Sequence, residues 1–276
     1  MQQMERKFNA FKGERKEGQR GPKKYATQRP KQSTMIIGRQ PLLEALNTGK
    51  PIERIFMLRT ATGDIIPQIR ELAQTQNIPI NYVPVEKLNG LTQANHQGVV
   101  AIAGNVTYLD LQDVISHVTE KGETPLFLIL DGITDVRNIG AIARSAVCCG
   151  AQAIIIPDKG IAALNEEAVK SSAGALERIA VCRVNSLNKA IDTLHLNGIK
   201  VMASEMETEI KLYDCDLKEP VAVIMGSEDK GVYPALIKAS DVLFRIPMAG
   251  NFESFNVSVA AGIILYEALK QRTVNI

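Results

Sequence analysis

The 276-residue sequence predicts an α/β protein in which a small α/β domain precedes a larger domain built on a parallel β-sheet. Two observations predict this class. Segments with helical periodicity alternate with short apolar runs along most of the chain, as they do in α/β domains. Many of the later apolar runs are continuous, which is typical of strands that helices cover on both faces of a parallel sheet.

The first folded unit is predicted over residues 35–104. It is expected to alternate helices and strands in the segments GRQPLLEALNTG, ERIFML, IPQIRELAQTQN, INYV, VEKLNGLTQ and GVVAIAG. This alternation indicates a small α/β domain. Residues 105–123 are expected to link it to the next unit through one helix, LDLQDVISHV.

The second predicted domain comprises residues 124–276. Its expected strands are LFLILD (126–131), AIIIP (153–157), RIAVCRV (178–184), IKVMASE (199–205), VAVIMG (221–226) and VLFRIPM (242–248). A final helix is predicted from about Ser254 to Lys270. Ser254 is a good N-cap, whereas Asn256 and Ser258 are expected inside the first turn, where they are mediocre helix formers.

Positive charge is concentrated in residues 1–34. They carry ten Lys and Arg against three Glu, whereas the rest of the chain carries 22 Lys and Arg against 27 Asp and Glu. Because this segment lacks an aliphatic run, we expect a flexible basic arm that attracts nucleic-acid phosphates. A solubilising tail is the alternative, and three glutamates argue against a mitochondrial presequence.

Several nucleotide-binding and hydrolase classes are excluded by missing motifs. G-x-G occurs nowhere, so neither a dinucleotide-binding fingerprint nor a kinase glycine loop is present. GSEDKG is not a P-loop, and no G-x-S-x-G elbow supports a serine hydrolase.

Metal and membrane association are also disfavoured. The three histidines share no ligand spacing, so no metal cofactor is expected. No apolar run approaches the length of a membrane span and no signal-peptide pattern opens the sequence, so a cytoplasmic protein is expected. We expect its cysteines to be reduced and buried: Cys148, Cys149, Cys182 and Cys215.

Three loops that follow predicted strands carry unusual polar residues: LDGITDVRNIG, MGSEDKG and IPMAGNFESFNVSVA. Ligands of open α/β sheets bind at such carboxyl ends of strands. The first loop leads into IGAIARSAVCCG, a predicted helix with an apolar face. Arg144 lies beside that face and has no carboxylate on the helix to pair with.

Together, the three loops resemble the three motifs of the SpoU (TrmH-type) class of SPOUT RNA 2′-O-methyltransferases. Asn138-x5-Arg144 matches the first motif, MGSEDKG the second, and IPMAG followed by SFNVSVA the third. The resemblance covers about residues 108–276 and is greatest to members that methylate guanosine in bacterial large-subunit rRNA. Residues 35–104, which end in NHQGVVAIA, resemble the ribosomal-protein-like RNA-binding domain that often precedes this catalytic domain.

The resemblance implies a C-terminal trefoil knot, a homodimer with active sites completed at the interface, and S-adenosylmethionine (AdoMet) bound mainly by backbone groups. The positions that match cofactor-binding residues are Gly226, Ile246, Met248, Ser254 and Phe255. Those that match catalytic residues are Arg144, Asn138, Glu228 and Asn256. Two departures are Phe255, where the family usually has Leu, and Asp135-Val136-Arg137, where a Pro often precedes the motif Asn.

The resemblance gives Arg144 the central role, and two versions of that role stay open. Arginine is a poor base because the pKa of a guanidinium lies above ~12. Arg144 is expected either to bind the adjacent phosphate and stabilise the developing alkoxide, or to take the hydroxyl proton. Gly140, one turn earlier, is expected to leave room for RNA.

The predicted function is AdoMet-dependent 2′-O-methylation of a guanosine ribose in large-subunit rRNA. One alternative is a tRNA ribose 2′-O-methyltransferase, against which the separate N-terminal RNA-binding domain weighs. The other is a catalytically silent RNA-binding factor in ribosome assembly, against which the four intact polar motif residues weigh.

Overall fold

The computed structural model describes residues 35–76, 78–250 and 254–273. The predicted basic arm of residues 1–34 lies outside the described residues. Within the described part of the chain, no helix combines the length and apolar character needed to cross a lipid bilayer.

An N-terminal domain is built on a four-stranded sheet. Its elements are β1 (Met35–Ile37), α1 (Arg39–Asn47), β2 (Ile52–Leu58), α2 (Ile65–Thr75), β3 (Ile80–Val83), α3 (Val85–Leu91) and β4 (Val99–Ala103). The strand order is β1-β4-β2-β3, with β4 antiparallel to β1 and β2, and β2 parallel to β3. The predicted helices and strands are present, and the three-residue strand β1 is an addition that the sequence pattern did not indicate.

A C-terminal domain is built on a seven-stranded sheet. Its elements are β5 (Tyr108–Leu109), α4 (Leu111–Glu120), β6 (Leu126–Leu130), α5 (Val136–Cys148), β7 (Ala153–Pro157), α6 (Glu166–Ser171), β8 (Ala180–Val184), α7 (Leu187–Leu196), β9 (Lys200–Ser204), β10 (Val221–Met225), α8 (Pro234–Ala239), β11 (Val242–Phe244) and α9 (Val257–Thr273). The strand order is β11-β9-β10-β6-β7-β8-β5, and all neighbouring strands are parallel. The predicted parallel sheet is therefore confirmed, with β5 as an unpredicted edge strand.

Helices cover the large sheet on both faces, which explains the continuous apolar runs. Along β6, Leu126, Leu128 and Leu130 belong to one core layer, whereas Phe127 and Ile129 belong to the other. Helices α5, α6 and α9 supply the first layer, and α4, α7 and α8 the second. Because every side chain of β6 is buried, the strand has no polar face to alternate with an apolar one.

Helix α9 begins at Val257, so the predicted start at Ser254 is wrong. Asn256 occupies the N-cap position: its side-chain oxygen accepts a hydrogen bond from the backbone N–H of Ser258 at 2.9 Å, and its carbonyl oxygen accepts from Ala260 N at 2.9 Å. An asparagine is as good a cap as a serine, and its position decides where the helix starts.

The last strand, β11, is shorter than predicted. It ends at Phe244 instead of Met248, because Arg245 turns to the segment before the 3₁₀ turn at Leu212–Asp214. Arg245 N donates to Ile210 O, and Leu212 N donates to Arg245 O, both at 2.9 Å. Pro247 has no N–H with which to continue a ladder.

The cysteines are all free thiols. Cys182 and Cys215 are buried, and burial raises the pKa of Cys182 to about 12. The expectation of burial is wrong for Cys148, which is exposed at the end of α5, and for Cys149, which is only half-buried. The core side of that helix carries Ile139, Ile142 and other residues, and Cys148 lies on the opposite side.

Arg272 fastens the last turn of α9 to the sheet. Its guanidinium donates to four carbonyl oxygens at 2.8–3.0 Å, and these belong to Thr124, Pro125, Leu217 and Glu219. The four acceptors lie just before β6 and β10, which are adjacent central strands. One side chain therefore joins the end of the chain to the amino ends of two strands.

We expect Arg272→Ala to lower the free energy of unfolding by about 2–3 kcal/mol, because four carbonyl groups, two of them partly buried, lose a charged donor. Urea unfolding followed by circular dichroism measures this. Lys270→Ala on the same turn is the matched control, since Lys270 pairs with Glu267 at the surface and its loss should cost less than ~0.5 kcal/mol. An equal decrease in the free energy of unfolding in the two variants would contradict the role of Arg272 in holding α9 to the sheet.

Candidate active site

A cleft of about 240 Å³ opens where β9 and β10 end and α9 begins. Because β9 and β10 are parallel neighbours, their carboxyl ends meet at one edge of the sheet. All five positions predicted from the cofactor motifs line this cleft: Gly226, Ile246, Met248, Ser254 and Phe255. Ser204 and Met206 also line it, and sequence reasoning missed them. Their position at the carboxyl end of β9, beside the β10 motif, is the signal that identifies them.

The loop after β10 closes tightly on itself and forms one wall of the cleft. Ser227 N donates to Gly231 O at 3.2 Å, and Gly231 N donates to Ser227 O at 2.9 Å. A Cβ atom on Gly226 would lie 2.0 Å from the carbonyl carbon of Gly231. Gly226 is thus required by the close approach of backbone to backbone. A larger side chain would collide with the loop, so we expect substitution of Gly226 to disturb the wall of the cleft.

Three predicted catalytic residues form one hydrogen-bonded cluster beside the cleft. Asn138 Nδ2 donates to Glu228 Oε1 at 3.0 Å, and Asn256 Nδ2 contacts both Glu228 Oε1 at 2.5 Å and Asn138 Oδ1 at 3.2 Å. The same Glu228 oxygen accepts from the backbone N–H of Val257 at 3.3 Å. The cluster joins the first turns of α5 and α9 to the loop after β10.

The start of α5 is fixed by Asp135. Its carboxylate accepts a hydrogen bond from Arg137 N at 2.8 Å, as an N-cap does, and it pairs with the Arg137 side chain at 3.1 Å. Hydrogen bonds from Arg137 lower the pKa of Asp135. Asp135 therefore starts the helix in a segment where the family often has Pro, and Asn138 falls in the first turn facing Glu228.

Arg144 lies on α5 outside this cluster, ~9 Å further along the helix axis than Asn138. It is exposed, whereas Ile139, Ile142 and Ala143 on the same helix are completely buried. Among the described residues Arg144 makes no hydrogen bond and no ion pair. Its guanidinium, which carries five N–H donors, is therefore accessible from solvent.

Gly140 has a packing role, and the expectation that it makes room for RNA is wrong. A Cβ atom at this position would lie 1.8 Å from Ser171 Oγ and 2.8 Å from Ala168 O on helix α6. The missing side chain lets α5 and α6 approach each other closely.

The structure contains no obvious metal centre in the part of the chain that it describes. No group of three or more His, Cys, Asp or Glu side chains comes together there in a way that could hold an ion.

Comparisons with known proteins agree with the geometry. A sequence model described as the SpoU rRNA methylase family matches residues 125–266, and one described as RNA 2′-O ribose methyltransferase substrate binding matches residues 35–109. A Bacillus subtilis protein, named as TrmH family tRNA/rRNA methyltransferase YacO, is 35% identical over 241 residues. The match covers 87% of this chain and 97% of that protein.

Two solved structures illustrate the fold similarity. The AdoMet-bound rRNA methyltransferase from Sinorhizobium meliloti is 26% identical with a TM-score of 0.55, and the match covers 86% of this chain and 87% of its own. The A. aeolicus TrmH/SpoU tRNA modifying enzyme is 25% identical with a TM-score of 0.50, and the match covers 60% of this chain and 85% of its own.

We expect Gly226→Ala to weaken AdoMet binding by roughly tenfold or more, because the new methyl group displaces the backbone of the cleft-forming loop. Isothermal titration calorimetry measures this. Gly90→Ala is the matched control, since its methyl group would meet nothing within 4 Å in the N-terminal domain. Wild-type affinity in Gly226→Ala would show that the loop does not shape the binding site.

Proposed function

Because this chain belongs to the SpoU rRNA methylase family, whose members methylate the ribose 2′-oxygen of RNA with AdoMet, we propose that it modifies a guanosine in large-subunit rRNA. One observation carries the proposal. A cleft lined by the cofactor motifs lies beside a hydrogen-bonded cluster of Asn138, Glu228 and Asn256. The helix that carries Asn138 also carries Arg144, which pairs with none of the residues that the structure describes. This arrangement also speaks against a catalytically silent protein.

The choice of rRNA over tRNA rests on the N-terminal domain. The similar rRNA methyltransferase from S. meliloti extends across 86% of this chain, whereas the similar tRNA modifying enzyme extends across 60%. The part of this chain that matches a substrate-binding family model is a separate domain with its own core. A large, folded RNA such as rRNA offers a second surface, away from the methylated ribose, to which this domain can bind.

The cleft suits a cofactor that is recognised by shape and backbone groups. Its walls combine the loop at Gly226 with the side chains of Ile246, Met248 and Phe255. These residues would hold AdoMet, and when bound it supplies the methyl group from its sulfonium. Charged side chains contribute little to the walls, which accounts for the missing nucleotide-binding motifs.

Arg144 acts in this proposal as an electrostatic and positioning group. A free guanidinium grips a phosphate with two parallel hydrogen bonds, and this fixes the neighbouring ribose. The same charge stabilises the alkoxide that develops on the 2′-oxygen. The cluster around Glu228 holds the first turn of α5, so it sets where Arg144 lies.

A homodimer belongs to the same proposal, as do a trefoil knot and a cytoplasmic location. Helix α9 buries Ala261, Ile264 and Leu265 in the core, yet Val259 and Tyr266 on its outer side are 50% and 64% exposed. A groove of about 650 Å³ follows this outer side and shares Ile246 and Phe255 with the cofactor cleft. A second copy seated there would complete the wall of the cleft.

We expect Arg144→Ala to reduce methyl transfer by roughly a hundredfold or more while AdoMet affinity stays at the wild-type value. The test maps 2′-O-methylation across total RNA from cells that lack the gene and carry either the wild-type chain or the variant. A single rRNA guanosine that loses its methyl group supports the proposal. Loss at a tRNA position, or at no position, would overturn the choice of substrate or the enzymatic role.

Arg144→Lys is the companion variant that separates the two roles. Lysine keeps the charge but lacks the planar fork, so an aligning Arg144 predicts activity nearly as low as that of the alanine variant. A proton-accepting Arg144 predicts rescue of the lysine variant at high pH, because an ammonium loses its proton more readily.

We expect Tyr266→Glu to produce a monomer, because it places a charge in the centre of the proposed interface. Size-exclusion chromatography with light scattering measures the mass. Leu196→Glu is the matched control, since Leu196 is an 88% exposed apolar residue on α7, on the other face of the sheet. Dimers that persist in Tyr266→Glu would place the interface elsewhere.

A further inference from the structure

Three side chains join the N-terminal domain to the large sheet, and together we name them the interdomain clamp: the buried Glu53 and Arg183 and the half-buried Tyr108. Arg183 Nη2 donates to Glu53 Oε2 at 2.8 Å, and Tyr108 Oη donates to the same oxygen at 2.6 Å. The guanidinium of Arg183 also lies 3.4 Å from the centre of the Tyr108 ring. Glu53 belongs to β2, whereas the other two belong to β5 and β8.

The backbone of β2 is shaped to present Glu53. A β-bulge falls between Ile52 and Arg54, where the register against β4 shifts by one residue. Such a bulge re-aims the side chain and the carbonyl of the extra residue. Both groups of Glu53 then meet one guanidinium, since Arg183 Nη1 donates to Glu53 O at 2.6 Å.

Burial of the two charged side chains makes separation of the domains unfavourable. Glu53 and Arg183 are only 7% and 6% exposed, so neither charge keeps a full shell of water. A buried charge that loses its partner is strongly unfavourable, which means the domains can separate only if both charges return to water. Burial and the neighbouring carboxylate of Glu53 also raise the pKa of Tyr108, which keeps its hydroxyl a donor.

The clamp closes a short connection. Only residues 104–107 separate the last strand of the N-terminal domain from β5, and within them Val106 is buried in the core of the C-terminal domain. A connection of this length limits how far the domains can move apart but leaves rotation about it free. The planar guanidinium of Arg183 donates to the carboxylate and to the backbone carbonyl of Glu53 at the same time. Because both bonds must lie close to the guanidinium plane, they oppose rotation of one domain relative to the other.

We propose that the interdomain clamp is a positioning device: it fixes the orientation of the N-terminal domain so that RNA held there presents its ribose to Arg144. Glu53, Tyr108 and Arg183 are positioning residues in this role and lie outside the cofactor cleft. The inference deepens the proposed function and rests on it for the RNA. The fixed orientation itself does not depend on any activity.

The first measurement is the distance between spin labels at Glu71 and Lys189, which are exposed on α2 and α7. Cys148 and Cys149 are replaced by serine, and labelled protein is diluted with unlabelled protein so that each distance lies within one protomer. We expect a narrow distribution in the wild type and a broad one in Arg183→Met. An equally narrow distribution in Arg183→Met would overturn the proposal.

The second measurement compares KM for RNA, kcat and AdoMet affinity in the same variants. Arg183→Met should raise KM for RNA roughly tenfold or more while kcat at saturating RNA and AdoMet affinity stay within about twofold. Arg183→Lys, which keeps the charge without the fork, should recover part of both the narrow distribution and the low KM. Broad distances with an unchanged KM would overturn the positioning role.

Arg54→Met is the matched control. Arg54 also approaches Glu53, but at 3.7 Å to the other carboxylate oxygen and with 35% of its side chain exposed, so its loss should change neither readout. An Arg54→Met effect as large as that of Arg183→Met would reduce the clamp to a general charge effect. If the wild-type chain methylates no RNA, the proposed function fails, and the distance distributions still decide whether the clamp fixes the domains.

Discussion

One carboxylate oxygen holds the active-site edge of the large sheet together. Oε1 of Glu228 accepts from the side chains of Asn138 and Asn256 and from the backbone of Val257. These donors come from the first turns of two helices that are more than a hundred residues apart in the chain. An acceptor shared in this way fixes α5 relative to α9. It therefore also fixes the position of Arg144 relative to the wall of the cleft.

The loop that carries Glu228 is itself constrained by backbone packing. Gly226 and Gly231 approach too closely for any side chain at position 226, and the loop therefore leaves β10 in a single direction. Glu228 in this loop reaches the starts of α5 and α9, and the loop lines the cleft together with Ile246 and Phe255. The polar cluster and the apolar cleft are two consequences of one tight turn.

The sequence predicts the parts of this architecture that repeat locally. Continuous apolar runs indicate the central strands, and helical periodicity indicates the buried face of α5, because both depend on neighbours within a few residues. Strands β1 and β5 are missed because a strand of two or three residues is too short to show a hydrophobic periodicity. The role of Gly140 is set by a distant partner, Ser171, and the N-cap Asn256 that starts α9 is itself held by the distant Glu228. The clamp between Glu53 and Arg183 joins residues 130 positions apart and leaves no local pattern.

Charge limits how RNA can be recognised by this protein. Residues 35–276 carry 22 Lys and Arg against 27 Asp and Glu, so this part of the chain has a net negative charge like its substrate. We expect general attraction to phosphate to come mainly from the ten basic residues of the first 34, and sequence-independent attraction of that kind does not select a nucleotide. In the proposed function, selection comes from geometry. Arg144, whose guanidinium pairs with none of the described residues, contacts the RNA, and the clamp holds the N-terminal domain at a fixed angle to it. The less the folded domains attract RNA by charge, the more the outcome depends on how rigidly Glu53 and Arg183 hold them.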